Sequence, residues 1–591
     1  MRETPTPAGA APPIPWARLA PRWIPALARL RRIREQVRHA ADPYTLAEQA
    51  LRALKVEVLT EHSAEQIPAS GAVIVTANHP FGGLDGLAAI AIVGRRRRDL
   101  RILANAQLAR LEELSPLVIP VDPFGGPQAV RANGRGGRAA LRWLASGGAL
   151  LLFPAGEVSH LRLESGTVTD PPWSATAARL VRRAGVRVMP MFISGSNSTL
   201  FQIAGLVHPR LRTALLPNEL ANKAGMRVEL RIGSAISPER CRRIGSDSHL
   251  AAFLRLSAYR LQPGYAPCRT HTALPEPIAP PIETGVLRRE IAALSPDSLL
   301  ASAGSLRVHL ATARQIPQTL LELGRAREIT FRAAGEGTGR ARDLDRFDAQ
   351  YEHLILWDEP AGRIAGAYRL ARTDVISRTL GREGLYSSTL FDYGALFLRL
   401  LGPALELGRS FVGLDYQKSF AALMLLWKGI AEYVGRNPRY TRLIGPVSVS
   451  SDYQPLTREL LVAFLRARGY DPLAAGIRAK RPFRSRLSLR TLGLDPRCAR
   501  GIDGLSEVIA GLEPDGKGVP VLLRHYLRLG GRMLAFNIDA AFADAIDCLI
   551  LVDLRSVGPK VLRRYMSPPA WEAFSRCHCR RAACTPADQA A

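Results

Sequence analysis

The sequence predicts an α/β protein of two domains, and three observations carry that expectation. From about residue 45 to 265, short runs of β-formers alternate with helical stretches, the pattern of a layered α/β domain. A second alternation begins near residue 300 and runs to about 554. Between them stands Leu274-Pro-Glu-Pro-Ile-Ala-Pro-Pro-Ile282, with four prolines in nine residues. Such a stretch can neither continue a helix nor donate to a β-ladder, so it reads as a semi-rigid linker. A length of 591 residues suits two or more domains. The expected division is a basic amphipathic segment (1–44), a first domain (45–265), a linker (266–298), a second domain (299–568) and a disordered tail (569–591).

In chain order, MRETPTPAGAAPPIPW is proline-rich and has no signal-peptide apolar core. Trp16 to Arg38 mixes Trp16, Leu19, Trp23, Ile24, Leu27, Leu30 and Ile33 with Arg18, Arg22, Arg29, Arg31, Arg32 and Arg34. It reads as a basic amphipathic helix, lying in a bilayer interface or packed on its own domain. Pro21 and Pro25 place the start of regular helix near residue 25. Strands are expected at GAVIVTA, LRILA, LVIPV, GALLLF, VRVMPMFI and MRVELRI, with helices at GGRAALRWLAS and SATAARLVRRAG. In the second half strands are expected at SLRVHLAT, HLILWD, RIAGAYRLA, RSFVGLDY and LILVDL. A long helix from Phe420 to Val434 should end at Gly435.

Hydrophobic content of 47% with mixed charge excludes a disordered chain. The net charge of +28 suits nucleic acid, anionic lipid or an acidic protein. No nucleic-acid recognition module is present in the sequence, so nucleic acid is not an expected partner. Seven cysteines are too few for a disulfide framework. The CHCRRAAC tail lacks a second CxxC pair, so no metal is expected. No apolar run reaches the roughly 18 residues that a membrane span needs. Gly511-Leu-Glu-Pro-Asp-Gly-Lys-Gly518 misses the P-loop, because Gly518 replaces the magnesium-binding hydroxyl and the string precedes an expected strand. Gly335-Glu-Gly-Thr-Gly339 reads as a flexible loop without nucleotide context.

Two strings carry the chemistry of the first half. Asn78-His79-Pro80-Phe81-Gly82-Gly83-Leu84-Asp85 and Phe153-Pro154-Ala155-Gly156-Glu157-Val158-Ser159 each follow a run of β-formers. Polar residues at the carboxyl ends of strands in such sheets face one crevice. A His with a following Asp suits a general base and the carboxylate that fixes its tautomer. No Ser or Cys stands in a nucleophile elbow beside them, so a substrate hydroxyl is expected to attack directly.

These strings resemble the blocks of the lysophospholipid and glycerolipid O-acyltransferases. Asn78-His79 with Asp85 is similar to the catalytic His-x4-Asp block, and Val118-Ile-Pro-Val-Asp122 to the acceptor-side strand. The turn Phe153 to Ser159 resembles the block that holds the acceptor, implying binding roles for Phe153, Pro154, Gly156, Glu157 and Ser159, with Asn78 of the first block beside them. Val188 to Ile193 resembles the Pro-containing strand of the acyl pocket, which brings in Pro190. Here five residues separate His79 from Asp85, and Gly82-Gly83 is expected to absorb the extra one as a bulge. Glu157 stands two places later than the family's acid. The variant Asn-His-Pro-x-Gly-Gly-x-Asp-Gly is similar to a hemolysin-like subgroup that includes ornithine-lipid synthases.

The second half resembles the GNAT N-acyltransferases that use acyl carrier protein, ornithine N-acyltransferases among them. The matching strings are Arg327 to Arg332, Asp343 to Tyr351, Gly366 to Leu370, Glu406 to Ser410, Gly445 to Ser450 and the LLRHYLRLGGR run from 522 to 532. The resemblance implies an acceptor site at Glu406, Arg409, Tyr368 and Arg369. The coenzyme A pyrophosphate loop is missing after Val412, where Gly413-Leu-Asp-Tyr-Gln-Lys-Ser419 stands instead. A basic chain also attracts an acidic carrier protein. The donor is therefore expected to be a carrier-protein or coenzyme A thioester, with no tightly bound cofactor.

Together the resemblances imply a bifunctional bacterial enzyme of ornithine-lipid type, attached to the inner face of the cytoplasmic membrane. The amino acid would gain a 3-hydroxyacyl group on nitrogen, and the 3-hydroxyl would then be acylated with His79 as base. The alternatives are an O-acyltransferase with an inactive or accessory second domain, or the reverse, and a non-catalytic membrane-binding or membrane-lytic protein. The His79/Asp85 pair argues against the latter.

Overall fold

The structure, a computed structural model, describes residues 20–578 apart from 61–63, 107, 123–126, 164–165, 264–274, 419–420 and 485–500. The chain divides into two compact units, with the main break at residues 265 and 266.

The first unit begins with α1 (Ala20–Val37), α2 (Pro43–Ala53), β1 (Glu57–Leu59), β2 (Val73–Ala77), α3 (Gly83–Gly94) and β3 (Leu100–Asn105). Then come β4 (Val118–Val121), α4 (Pro127–Ala145), β5 (Ala149–Leu152), β6 (His160–Arg162), β7 (Thr167–Thr169) and α5 (Ala175–Ala184). It closes with β8 (Arg187–Ile193), α6 (Thr199–Val207), α7 (Pro209–Asn222), β9 (Arg227–Ile232), α8 (Pro238–Arg243) and α9 (Asp247–Tyr259). The seven-stranded sheet has the order β1-β9-β8-β2-β5-β3-β4. Every pair is parallel except β8 with β9. Central β2 is buried along its whole length, which explains its continuous apolar run. Val75 and Ala77 join Ala88 and Ile92 of α3, Leu151 of β5 and Met189 of β8 in one core. Local signals set the helix ends. Ser174 caps α5 by accepting from the Thr176 amide, and Gly185 ends it at φ +61°.

α1 starts at Ala20, five residues before the expected position. Pro21 lies in the first turn, where its missing N–H has no intrahelical partner, and Pro25 forfeits one backbone bond. Ala26, Ile33 and Val37 are buried, and Arg29 Nη1 donates to the Ala221 carbonyl of α7 at 3.3 Å. The segment therefore packs on its own unit. Residues 1–19, including Trp16 and Leu19, lie outside the described residues.

The second unit opens with α10 (Thr284–Ala292), β10 (Leu299–Ala303), β11 (Leu306–Thr312), α11 (Pro317–Ala333), β12 (Glu352–Asp358), β13 (Arg363–Arg372) and α12 (Thr373–Thr379). It continues with β14 (Phe391–Tyr393), α13 (Phe397–Leu401), β15 (Ala404–Val412), α14 (Ala421–Arg436), β16 (Arg442–Val449), α15 (Pro455–Ala467) and β17 (Ile477–Ala479). It ends with α16 (Ile502–Leu512), α17 (Val521–Arg528), β18 (Arg532–Asp539), β19 (Ala545–Asp553), α18 (Pro559–Leu562) and α19 (Pro568–His578). Its main sheet runs β10-β11-β12-β13-β15-β16-β19-β18. Ile355, Trp357 and Ala367 pack with Leu287 and Ile291 of α10 and Leu323 of α11. On the other face a Cβ at Gly429 of α14 would meet Val308 and Leu354, so the sheet lies between helices.

Only β15 and β16 are parallel neighbours, and they share three register pairs, Ala404 to Glu406 with Arg442 to Ile444. Beyond Glu406 the two strands separate.

Three expectations change here. The proline-rich stretch is docked along the second unit: Glu276 and Ala279 amides donate to the Gly339 and Ala341 carbonyls. The final residues are ordered at least to His578, where α19 buries Ala570 and Phe574; residues 579–591 lie outside the described set. The string Gly511 to Gly518 precedes helix α17, not a strand.

Candidate active sites

In the first unit, register builds the site. Thr76 of β2 lies beside Leu152 of β5 and beside Pro190 of β8. The chain leaving β2 and the chain leaving β5 therefore emerge at one end of the sheet. His79 and Phe153 meet there with ring centroids 4.4 Å apart. Asn78 ties the same end to β8, donating to the Ile193 carbonyl at 2.8 Å and accepting from the Ile193 amide at 2.7 Å. Gly82, at φ +96°, turns the chain into α3. A Cβ there would meet Leu216 at 3.1 Å. The extra residue between His79 and Asp85 is thus absorbed by a helix-entry turn, not by a strand bulge.

Asp85, in the first turn of α3, is fully buried. Its Oδ2 lies 2.9 Å from His79 Nδ1 and accepts from the Phe81 and Gly82 amides at 2.9 and 2.8 Å. Burial pushes its carboxyl up, and the imidazole and two amides oppose that shift. His79 is 20% exposed, so the imidazole is not sealed from solvent. Such an arrangement can serve as a general base and the carboxylate that orients it. Asp170 was not singled out from sequence, yet it braces the site. It accepts from the His79 amide at 3.2 Å, from Trp173 Nε1 at 2.9 Å and from the Ser159 hydroxyl. Ser159 is buried, and its amide donates to the His79 carbonyl. Pro154 and Gly156 form the turn between them, while exposed Glu157 pairs with Arg212 of α7 at 2.6 Å. Pro190 is buried within β8.

In the second unit a cavity of about 800 Å³ opens where β15 and β16 separate. Arg409, Ser410 and Val412 of β15 and Pro446 and Ser448 of β16 line it, with Tyr368, Tyr386, Arg524 and Arg528. Arg409 has φ +46° beside a register shift against β13. That conformation is uncommon for a residue that carries a side chain. Its guanidinium lies 3.0 Å from Asp343 and 3.4 Å from Asp345, and donates to the Tyr386 hydroxyl at 2.9 Å. Arg369 is buried away from the cavity against Asp345 (2.6 Å) and Asp348 (3.3 Å), and Arg327 binds Asp348 at 2.7 Å.

Glu406 does not pair with Arg409 and does not reach the cavity. It is buried and accepts from the Tyr386 and Ser387 amides, at 3.1 and 2.9 Å, and from the Tyr351 and Ser387 hydroxyls. It touches Arg409 only through Tyr386. The expected acceptor set is therefore split: Arg409 and Tyr368 face the cavity, and Glu406 and Arg369 support it from behind.

Residues 31–265 match the acyltransferase family model, and residues 326–428 match the acetyltransferase (GNAT) domain model. The chain is 31% identical to glycine N(alpha)-acyltransferase of Bacteroides thetaiotaomicron, over 47% of this chain and 86% of that one. It is 32% identical to L-ornithine N(alpha)-acyltransferase of Rhizobium meliloti, over 40% of this chain and 75% of that one. The chain belongs to this family of GNAT N-acyltransferases. It is also 31% identical to lyso-glycine lipid O-acyltransferase of Phocaeicola vulgatus, over 25% of this chain and half of that one. The acyltransferase thus carries two transferase domains of different type, each with its own candidate site.

Sequence reasoning missed three acids of this acyltransferase's cavity: Glu336, Asp539 and Asp547. Glu336 belongs to the glycine loop set aside as flexible. That loop is pinned by Glu328, which accepts from the Thr338 and Gly339 amides at 3.1 and 2.8 Å. The available signal was Asp547, a charge inside the apolar run AIDCLILV. Among the described residues no group of three or more His, Cys, Asp or Glu side chains is placed to hold a metal.

Proposed function

We propose that the chain makes a two-chain amino-acid lipid, its second unit forming an N-acyl bond and its first an O-acyl bond. The observation that carries the reading is His79 paired with buried Asp85 in a chain that also belongs to the N-acyltransferases. Relatives named for glycine and ornithine N-acylation and for lyso-glycine lipid O-acylation support an amino-acid acceptor.

In the second unit, a 3-hydroxyacyl thioester on acyl carrier protein meets the acceptor in the cavity. The divergence of β15 from β16 leaves strand edges without ladder partners, suited to the amides of a pantetheine arm. Arg524 and Arg528 at this cavity suit its phosphate. Arg409 takes the acceptor carboxylate, and Glu406 positions Tyr386 against Arg409. Glu336, which burial pushes up to about 7, accepts a proton from the α-ammonium. The nitrogen then bonds to the acyl carbon, the C–S bond breaks, and the leaving sulfur takes the second proton.

In the first unit, His79 Nε2 takes the proton of the new 3-hydroxyl. The oxygen forms an ester with a second acyl group, and the departing thiolate is protonated by the imidazolium. Asp85 holds the ring and stabilises its positive form, a contribution of ~10²–10⁴-fold for such a base. Asn78 and the Phe153–Ser159 turn hold His79 in place.

The chain is read as peripheral on the inner face of the cytoplasmic membrane. No described helix is long and apolar enough to cross one. Leu200 (42%), Ile203 (53%), Leu206 (47%) and Val207 (71%) are exposed along one face of α6. α6 also sits on the site loop, through Phe201 packed with Val158. An interfacial α6 would bring lipid to His79.

The test is lipid mass spectrometry of bacteria that lack aminolipids and express variants of the chain. His79→Ala should accumulate the single-chain N-acyl amino acid and contain no two-chain lipid. Arg409→Ala should contain neither, and added single-chain lipid should restore the product. Unchanged two-chain lipid in the His79→Ala strain would overturn the scheme.

A further inference from the structure

Three carboxylates face the cavity of the second unit, and none has a basic partner within ion-pair distance among the described residues. Arg409, the buried cation beside them, already pairs with Asp343 and Asp345. Asp547 is 6% exposed, and its Oδ2 accepts no hydrogen bond. It projects from β19, directly across from Ser448 of β16 and Asn537 of β18. Asp539, 8% exposed, accepts from the Ala541 amide at 2.9 Å, and Glu336, also 8% exposed, accepts from the Ser448 hydroxyl at 2.7 Å. A buried acid without a partner is costly, and a site retains one where a ligand supplies the partner. Burial and mutual repulsion push Asp547 well above the usual carboxylate range. An incoming cation would reverse that.

The acceptor's α-ammonium cannot be that cation through the reaction, because the amine must lose its proton before it attacks the thioester. Glycine would therefore leave the Asp547 side of the cavity uncompensated at the moment of bond formation. A side chain that ends in a second ammonium would not. We propose that Asp547 and Asp539 form a subsite for the acceptor's side-chain cation, so that the second unit selects a diamino acid over a neutral one. This rests on the N-acyltransferase reading of that unit.

The experiment measures kcat/KM of the full-length chain for ornithine, norvaline and glycine, with a 3-hydroxyacyl carrier-protein thioester as donor. Norvaline keeps the carbon skeleton of ornithine and lacks its terminal ammonium. The wild type should favour ornithine over norvaline and over glycine by at least about 30-fold, the low end of what a buried charge pair contributes. Asp547→Asn should bring the ornithine-to-norvaline ratio within a few-fold of unity. Asp539→Asn should move the ratio in the same direction, which keeps the proposal testable if the first variant does not fold. Equal loss for ornithine and norvaline in the variants, or a wild type that prefers glycine, would overturn the subsite while leaving N-acylation intact. A wild type that acylates none of the three would overturn the N-acyltransferase reading itself.

Discussion

Asp85 and Glu336 are both buried acids, and their neighbours separate their behaviour. Asp85 is held by an imidazole and two backbone amides, so its carboxylate form is supported where His79 needs it. Glu336 has one hydroxyl partner and is pushed up to about 7 by burial, against 4.5 when exposed. An acid whose folded value is raised keeps its proton in the fold after the unfolded chain has lost it. Its contribution to stability is fully present below about 4.5 and falls as pH rises toward 7. The fall amounts to about 3 kcal/mol. Glu336→Gln should flatten that slope between pH 5 and pH 8 in guanidinium unfolding. Identical slopes in the two proteins would rule out a raised Glu336.

At the scale of elements, the instructive failures are a helix and a strand. The segment from residue 569 onward reads as a disordered tail in the sequence. In the structure two prolines start α19, and Ala570 and Phe574 provide its buried side. The contact is tight: a Cβ on Gly435 of α14 would lie 2.2 Å from Ala570 Cβ and 2.6 Å from its Cα. Gly435→Ala should therefore destabilise the second unit by about 1–3 kcal/mol, the cost of overpacking. Its unfolding midpoint in urea is the readout, and an unchanged midpoint would mean that α19 does not seat there. On β15, Glu406 and Arg409 look like a pair in the sequence. An odd spacing along a regular strand puts two side chains on opposite faces; here a register shift stands beside Gly408, Arg409 has φ +46°, and only Arg409 of the two lines the cavity.

For the whole molecule, the proposed membrane attachment has two separable sources, the net charge of +28 and the apolar face of α6. Each basic residue near an anionic surface adds about 1 kcal/mol, and salt screens it. Burial of Leu200, Ile203, Leu206 and Val207 is insensitive to salt. Cosedimentation with vesicles of anionic lipid should therefore fall steeply with salt to a residual level, and Ile203→Asp should remove that residue. Wild-type binding by Ile203→Asp at every salt concentration would place the apolar contact elsewhere.

What the sequence alone determined is local in origin. The β-forming runs, the caps and the order of the two strings at strand ends follow from neighbouring residues, and His79 with Asp85 sits within one strand–turn–helix unit. The second site was legible only in part, because its strings carry charge without showing which charges meet. Asp343, Asp345 and Asp348, in the loop after α11, meet Arg327 of α11, Arg369 of β13 and Arg409 of β15. Glu336, Asp539 and Asp547 converge from positions about 200 residues apart. Only the tertiary structure decided those partners, because the divergence of β15 from β16 creates the cavity and the sheet register selects which side chains face it.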